Sequence, residues 1–266
     1  ITTGTSLAWL ADAVMRQGKL TQARDLRLEE IALYEHWLAT RAADANVRQL
    51  MADARYRLAQ IHLAMGRLDE AQESALLATQ IADDLLAADL GNIGRVDRAS
   101  LAHAIAGEVH LHRRQYRQAR ESLLRSIAIA DGFVARKGGL EGSRGLTSSQ
   151  PRLVLASLLV RTGQTEEAMS LYAKVLASHR GEMATGKTVY PLSRRRYCEA
   201  LAGQARLMPS GSSAWQEIIA RLGPVQAGLS PEESTLLAEA YAHGGPIEPA
   251  AALTTPLYAS GYRHPD

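Results

Sequence analysis

The sequence predicts an all-α fold, a right-handed superhelix of stacked antiparallel helix pairs (an α-solenoid). Aromatic residues make up only 5% of the 266 residues, with a single Phe, whereas the strong helix formers Ala and Leu recur throughout. Apolar residues recur at i, i+3, i+4 and i+7 rather than in alternation, which indicates amphipathic helices. The first five helix-breaking turns return every 48 or 49 residues, and a sixth follows after 34. Such a period is typical of stacked units rather than of one closed globule.

The turns define the units. In each of the four regular turns the first residue is followed two positions later by an aliphatic residue, Tyr or Thr, and three positions after that by Ala. Gly at the first position supplies the left-handed conformation that ends a helix. The regular turn positions are Gly18, Gly66, Arg114 and Gly163, and weaker copies fall at Gly211, after a helical stretch over 193–207, and at Gly245.

Each unit is predicted to contain two helices, A before the turn and B after it. Small residues recur where paired helices must approach closely. They are Ala11, Ala59, Gly107 and Ala156 in the A helices and Ala23, Ala71, Ala119 and Ala168 in the B helices. We expect Gly107 to lie against helix B of its own unit and to accept Ala, as its sister units do. Units one to three occupy 1–135, a Gly/Ser-rich connector occupies 136–150, and units four to six occupy 151–266.

These residues resemble the tetratricopeptide repeat family. The resemblance rests on the small residue in helix A, the Gly turn, the aliphatic residue or Tyr after it, and the following Ala. Gly107, Tyr116 and Tyr172 match the family's helix-A glycine, turn aromatic and helix-B aromatic. The unit is longer than the usual length of about 34 residues. Arrays of this long period are similar to those of bacterial multidomain signalling proteins.

The resemblance implies a concave groove lined by helix-A residues that binds a protein or peptide. The corresponding positions in this sequence are Asp12, Arg16, Tyr56, Gln60, Glu108, His112, Ser157 and Arg161. Members that bind chaperone tails use Lys and Asn at such positions, and these residues are absent here. The polar, partly acidic row of Asp12, Gln60 and Glu108 suits a peptide or helix that carries basic or amide groups.

Several motifs suggest other chemistry. Residues 181–188 spell the phosphate-loop pattern GxxxxGK[ST], but a helix is predicted before it where a buried strand is required. His103, His110 and His112 are spaced so that they cannot share one metal ion. Arg194, Arg195 and Arg196 spread around a helix and are interpreted as a solvated face. Cys198 is interpreted as a small buried apolar residue. We therefore expect no catalytic residues, metal or cofactor.

Composition restricts the partners further. The formal net charge is +2 and the many Arg residues are interleaved with acidic ones, so no nucleic-acid surface is expected. The longest apolar stretch, 153–160, is too short to cross a bilayer, and no signal peptide opens the chain. These features favour a soluble, cytoplasmic protein. Because the chain starts at Ile1 rather than Met, we expect a segment of a longer protein.

The favoured function is a scaffold or sensor array that binds a protein or peptide. It would regulate an effector carried outside this chain, or recruit partners to that effector. A domain that senses a small molecule or peptide is the alternative. An ATP-binding enzyme that uses residues 181–188 is the third hypothesis, and a thermal-shift screen with ATP and magnesium separates it from the other two.

Overall fold

The computed structural model describes residues 2–136, 148–184, 190–208 and 213–263. In this part of the chain it contains twelve α-helices and no β-strand, which confirms the predicted all-α solenoid fold. The helices are α1 Thr2–Arg16, α2 Leu20–Thr40, α3 Ala45–Ala64, α4 Leu68–Ala88, α5 Ile93–His112, α6 Tyr116–Arg136, α7 Ser149–Arg161, α8 Thr165–Ala184, α9 Pro191–Leu207, α10 Ser213–Leu222, α11 Pro231–Gly244 and α12 Glu248–Ala259. A short 3-10 helix, Gly223–Gly228, follows α10.

The fold divides into two compact units. The first consists mainly of Ile1–Pro151 and the second of Arg152–Tyr262. In the first unit each helix from α1 to α6 packs against the next, and the A helices α3 and α5 also pack side by side. In the second unit α8 packs against α9, α9 against α10, α10 against α11, and α11 against α12. Of the predicted connector 136–150, residues 137–147 lie outside the described residues, whereas Arg136 ends α6 and Ser149 begins α7.

Small residues occupy the contacts between paired helices, as predicted. All seven predicted alanines, at positions 11, 23, 59, 71, 119, 156 and 168, are completely buried. Larger apolar side chains fill the space between successive pairs. Between α2 and α3 they are Ile31, Tyr34, Val47, Met51 and Leu58, and Ala54 is buried with them. Within the first unit an apolar core therefore runs from one helix pair to the next, which is the packing that a repeat array requires.

The turns share one hydrogen-bond pattern. At the second turn the amide of Gly66 donates to the Leu63 carbonyl (2.9 Å), and the amide of Arg67 donates to the His62 carbonyl (2.8 Å). This pair of bonds satisfies carbonyl groups at the end of the A helix and requires a left-handed residue. The same pattern occurs at Gly18, Arg114, Gly163 and Gly261, and φ at all five turn positions is positive.

Of the two weaker predicted turns, only the one at Gly245 lies among the described residues, and it does not repeat the pattern. The predicted turn residue Gly211 lies outside the described residues. Gly245 has an extended backbone with φ of −146°. The physical reason is Pro246, because a proline restricts the residue before it to extended conformations. The sixth copy is thus a helix pair, as predicted, but with a different turn.

Gly107 lies against helix B of its own unit, as predicted. The expectation that Ala would be accepted there is wrong. A Cβ at position 107 would lie 2.5 Å from the Leu123 Cγ and 3.2 Å from the Ala119 carbonyl oxygen, both of α6. Leu123 is completely buried, so its side chain has no free space into which it could move.

Candidate functional site

The predicted binding residues of helix pair one are Asp12, which is half-buried, and Arg16, which is exposed. Asp12 forms an ion pair with Arg27 of α2. The Arg27 guanidinium is 2% exposed, and it also pairs with Glu30 and donates to the Ala8 carbonyl (3.2 Å). Burial raises the pKa of Glu30, and the charge of Arg27 opposes that rise. Asp12 is thus held in place on the surface by a buried cation.

On α3 the structure places Tyr56 in the core and its neighbour Arg57 on the polar surface. Tyr56 is 5% exposed and packs between α3, α4 and α5. The Arg57 guanidinium carbon lies 5.0 Å from the centroid of the Tyr56 ring, and its Nη1 donates to Gln60 Oε1 (3.2 Å). Gln60 is half-buried, as a surface-lining residue would be. The Tyr56 ring thus lies against the Arg57 guanidinium and helps to hold it in place.

An ion pair joins α3 to α5. The Arg98 Nε and Nη2 atoms lie 2.8 Å from Asp53 Oδ2, and Arg98 Nη1 donates to the Gly94 carbonyl (3.1 Å). Burial raises the pKa of Asp53, and the positive charges of Arg98 and Arg57 oppose that rise. Asp97, the residue before Arg98, is half-buried at the same boundary between the two helices.

At the other end of α5, Glu108 and His112 are half-buried. Glu108 Oε2 accepts a hydrogen bond from Gln150 Nε2 (3.4 Å). The remaining predicted residues, Ser157 and Arg161, lie on α7 in the second unit, where Ser157 is half-buried and Arg161 is exposed.

Half-buried polar side chains of α1, α3 and α5 therefore form a surface that we call the A-helix face. It consists of Asp12, Asp53, Arg57, Gln60, Asp97 and Glu108. Sequence reasoning found Asp12, Gln60 and Glu108 but missed the other three. Helical spacing could have found them, because Asp53 lies seven residues before Gln60 and Asp97 lies eleven before Glu108, two and three turns respectively.

The three consecutive arginines of α9 do not form a solvated face, so that interpretation is wrong. Arg194 Nη2 lies 2.9 Å from Glu233 Oε1 of α11, and Glu233 is 4% exposed. Arg195 pairs with Glu232 and Glu199, and Arg196 also pairs with Glu199. Carboxylates of α11, about forty residues away in sequence, thus form ion pairs with Arg194 and Arg195 that join α9 to α11.

The other motifs have these surroundings. Gly181 of the phosphate-loop pattern lies in α8, whereas residues 185–189 lie outside the described residues. Cys198 is completely buried, and burial raises the pKa of its thiol to about 12. Across the described ranges no three His, Cys, Asp or Glu residues are arranged to hold a metal ion. No helix in those ranges has the length and hydropathy needed to cross a membrane.

The helix pairs, their shared turn and the polar A-helix face are the features of a helical repeat scaffold. The tetratricopeptide repeat family model matches residues 52–85, from within α3 through the Gly66 turn into α4. This match confirms the resemblance for helix pair two. Repeats of this family are typical of protein-interaction scaffolds.

Comparison with solved structures finds the crystal structure of the yeast Tom70, at 15% sequence identity and a TM-score of 0.32. That alignment covers 90% of this chain and 56% of the Tom70 chain, so this chain spans little more than half of its length. No curated protein matches the sequence.

Proposed function

We propose that this chain is a non-enzymatic protein-interaction module whose A-helix face binds a polypeptide segment. Through this binding the module regulates an effector or recruits partners to it. The observation that carries the proposal is the row of half-buried polar side chains on α1, α3 and α5, of which Asp53, Arg57 and Gln60 lie within the matched repeat at 52–85. Side chains that are held in place by neighbours lose little entropy when a ligand binds. Arg57, Gln60 and Asp12 are held in this way.

The chemistry of the face suits an extended or helical peptide better than an apolar ligand. It presents carboxylates, an amide and a guanidinium within one surface, and such groups provide specificity through hydrogen bonds and charge. The predicted contributions of Arg16 and His112 to this face remain part of the proposal, and Ser157 and Arg161 are proposed binding residues of the second unit by itself. Regulation of an effector outside these residues and a location in the cytoplasm are likewise proposals.

The test is selection of binding peptides from a random phage-displayed library with the full chain as bait. Selected peptides are synthesised, and their affinities are measured by calorimetry for the wild type, Arg57→Ala, Gln60→Ala and Arg117→Ala. Arg117 is an exposed residue of α6 and serves as the matched control for Arg57. We expect the first two variants to weaken binding about tenfold and the control to bind normally.

Two results would contradict the proposal. One is a library that yields no binding peptide, and the other is peptides whose affinity is the same for all four proteins. The competing ATP hypothesis predicts instead a thermal shift with ATP and magnesium that is lost in Lys187→Ala, a residue outside the described residues.

A further inference from the structure

Asp97 is an unusual carboxylate within the A-helix face. It is half-buried on α5 beside α3, and in the described part of the chain its carboxylate makes no hydrogen bond and no ion pair. Other acidic residues of the face have partners: Asp12 pairs with Arg27, Asp53 with Arg98, and Glu108 with Gln150. A carboxylate that has lost part of its hydration without gaining a partner is unfavourable.

The neighbouring cations are already engaged. All three nitrogens of the Arg98 guanidinium donate to Asp53 or to the Gly94 carbonyl. Arg57 donates to Gln60 and covers the Tyr56 ring. The charged groups that act on Asp97 are Asp53 and Arg57 from α3 and Arg98 from α5 itself. The ionised carboxylate of Asp97 therefore has no cationic group that contacts it directly.

The effects of burial and of neighbouring charges on the pKa of Asp97 also indicate that its carboxylate lacks a cationic partner. Burial raises the pKa of Asp97 to about 6, and the negative charge of Asp53 adds to that rise, against the opposing effects of Arg98 and Arg57. A cation that approached Asp97 would recover the interaction that the ionised carboxylate lacks.

We propose that Asp97 receives a Lys or Arg side chain of the polypeptide bound on the A-helix face, and so determines the specificity of binding. This inference rests on the proposed function. Asp97 and Glu108 lie on the same side of α5, about 16 Å apart along the helix axis. A bound segment that reaches both carboxylates runs along α5, with its cationic residue at the Asp97 end.

The test uses the peptides selected from the random library with the full chain. Asp97→Asn keeps the shape of the side chain and removes its charge. Asp25→Asn, at an exposed position of α2, is the matched control. We expect the selected peptides to share a Lys or Arg at a fixed position and to bind Asp97→Asn about tenfold more weakly, with normal binding to the control.

Two further measurements sharpen the result. Replacing the shared Lys or Arg of the peptide by norleucine should weaken binding to the wild type and have little further effect with Asp97→Asn, because the two changes remove the same contact. Affinity for the wild type should rise between pH 5 and pH 7 as Asp97 ionises, and affinity for Asp97→Asn should change less.

The two proposals fail in different ways. Peptides that bind Arg57→Ala weakly but bind Asp97→Asn as well as the wild type would overturn this inference and leave the proposed function standing. A set of binding peptides without a shared cation would do the same. A library that yields no binder on this face would overturn the proposed function and this inference together.

Discussion

Leu123 of α6 packs so tightly on the bare backbone of Gly107 of α5 that a Cβ at position 107 would lie 2.5 Å from the Leu123 Cγ. In the sister units Ala11, Ala59 and Ala156 occupy the position of Gly107 and are completely buried. The absence of a side chain at position 107 thus lets the Leu123 side chain lie directly on the backbone of α5.

We therefore predict that Gly107→Ala destabilises the protein. Overpacking in a closed core costs typically about 1–3 kcal/mol, which exceeds the gain in helix propensity of up to about 1 kcal/mol. Gly132→Ala in α6 is the control, because its Cβ would meet only the flexible end of Arg136 at 3.5 Å, and it should be neutral or slightly stabilising. Urea unfolding measures both variants. A stabilised Gly107→Ala would show that α5 and α6 can separate without cost.

The third turn gives a second prediction. Arg114 has φ of 60°, a left-handed conformation that disfavours every residue with a Cβ, whereas the other turns of this type have Gly. Arg114→Gly should stabilise the protein by about 0.5–1 kcal/mol as that strain is released. Gly163→Ala, at φ of 80° with open space around it, should destabilise by about 1 kcal/mol. Equal unfolding midpoints for all three proteins would contradict this account of the turns.

The sequence predicted the helix pairs and four of the turns because both depend on short-range signals. A turn needs a left-handed residue and two hydrogen bonds within six residues, so Gly18, Gly66 and Gly163 are visible in the sequence. Even Arg114 could be placed from the period. At Gly245 the period alone is not sufficient, because Pro246 holds the preceding residue in an extended conformation and so prevents the left-handed turn.

The A-helix face was only partly predictable, for two physical reasons. One residue along a helix rotates by about 100°, so a small error in phase interchanges a core residue such as Tyr56 with a surface residue such as Arg57. The ion pair of Asp53 with Arg98 joins residues 45 positions apart, and it depends on the packing of α3 against α5. Sequence periodicity carries no information on that contact.

Asp97 also gives a prediction for the free protein. Its pKa of about 6 in the folded state lies above the usual value near 4. Between about pH 4 and pH 6, Asp97 is therefore protonated in the native state and ionised in the unfolded state. Stability from this group is therefore present at low pH and is lost as pH rises from about 4 to 6. Asp97→Asn should raise the free energy of unfolding by about 1–2 kcal/mol at pH 7 and change it little at pH 4.

Asp83→Asn is a control of opposite sign for that experiment. The hydrogen bond from His103 Nε2 (3.0 Å) lowers the pKa of Asp83, so its contribution to stability is present above the ordinary Asp pKa near 4 and is lost only as pH falls below that value. Asp83→Asn should therefore destabilise the protein at pH 7 and, slightly less, at pH 4. Urea unfolding at pH 4 and pH 7 measures both variants. If Asp97→Asn were destabilising at pH 7, a partner for the Asp97 carboxylate within the folded chain would be indicated.

The buried ion pair of α2 gives the last prediction. Arg27 and Glu30 are 2% and 1% exposed, and Arg27 also holds Asp12 of α1. Arg27→Met leaves Glu30 buried without its cation and should cost about 3–5 kcal/mol. Because burial already raises the pKa of Glu30 and the loss of Arg27 raises it further, this cost should be larger at pH 8 than at pH 5, where Glu30 can take up a proton.

Replacing both residues in Arg27→Met/Glu30→Leu removes the uncompensated charge and fills the space with apolar atoms. We expect the double variant to recover most of the loss at pH 8, since a buried ion pair is commonly no better than a well-packed apolar pair. Asp12 would then lose its buried partner and become mobile on the A-helix face, so peptides selected on that face should bind this variant more weakly even though it is folded. A double variant as unstable as Arg27→Met would show instead that the Arg27 contacts with Asp12 and the Ala8 carbonyl, rather than its compensation of Glu30, hold α1 against α2.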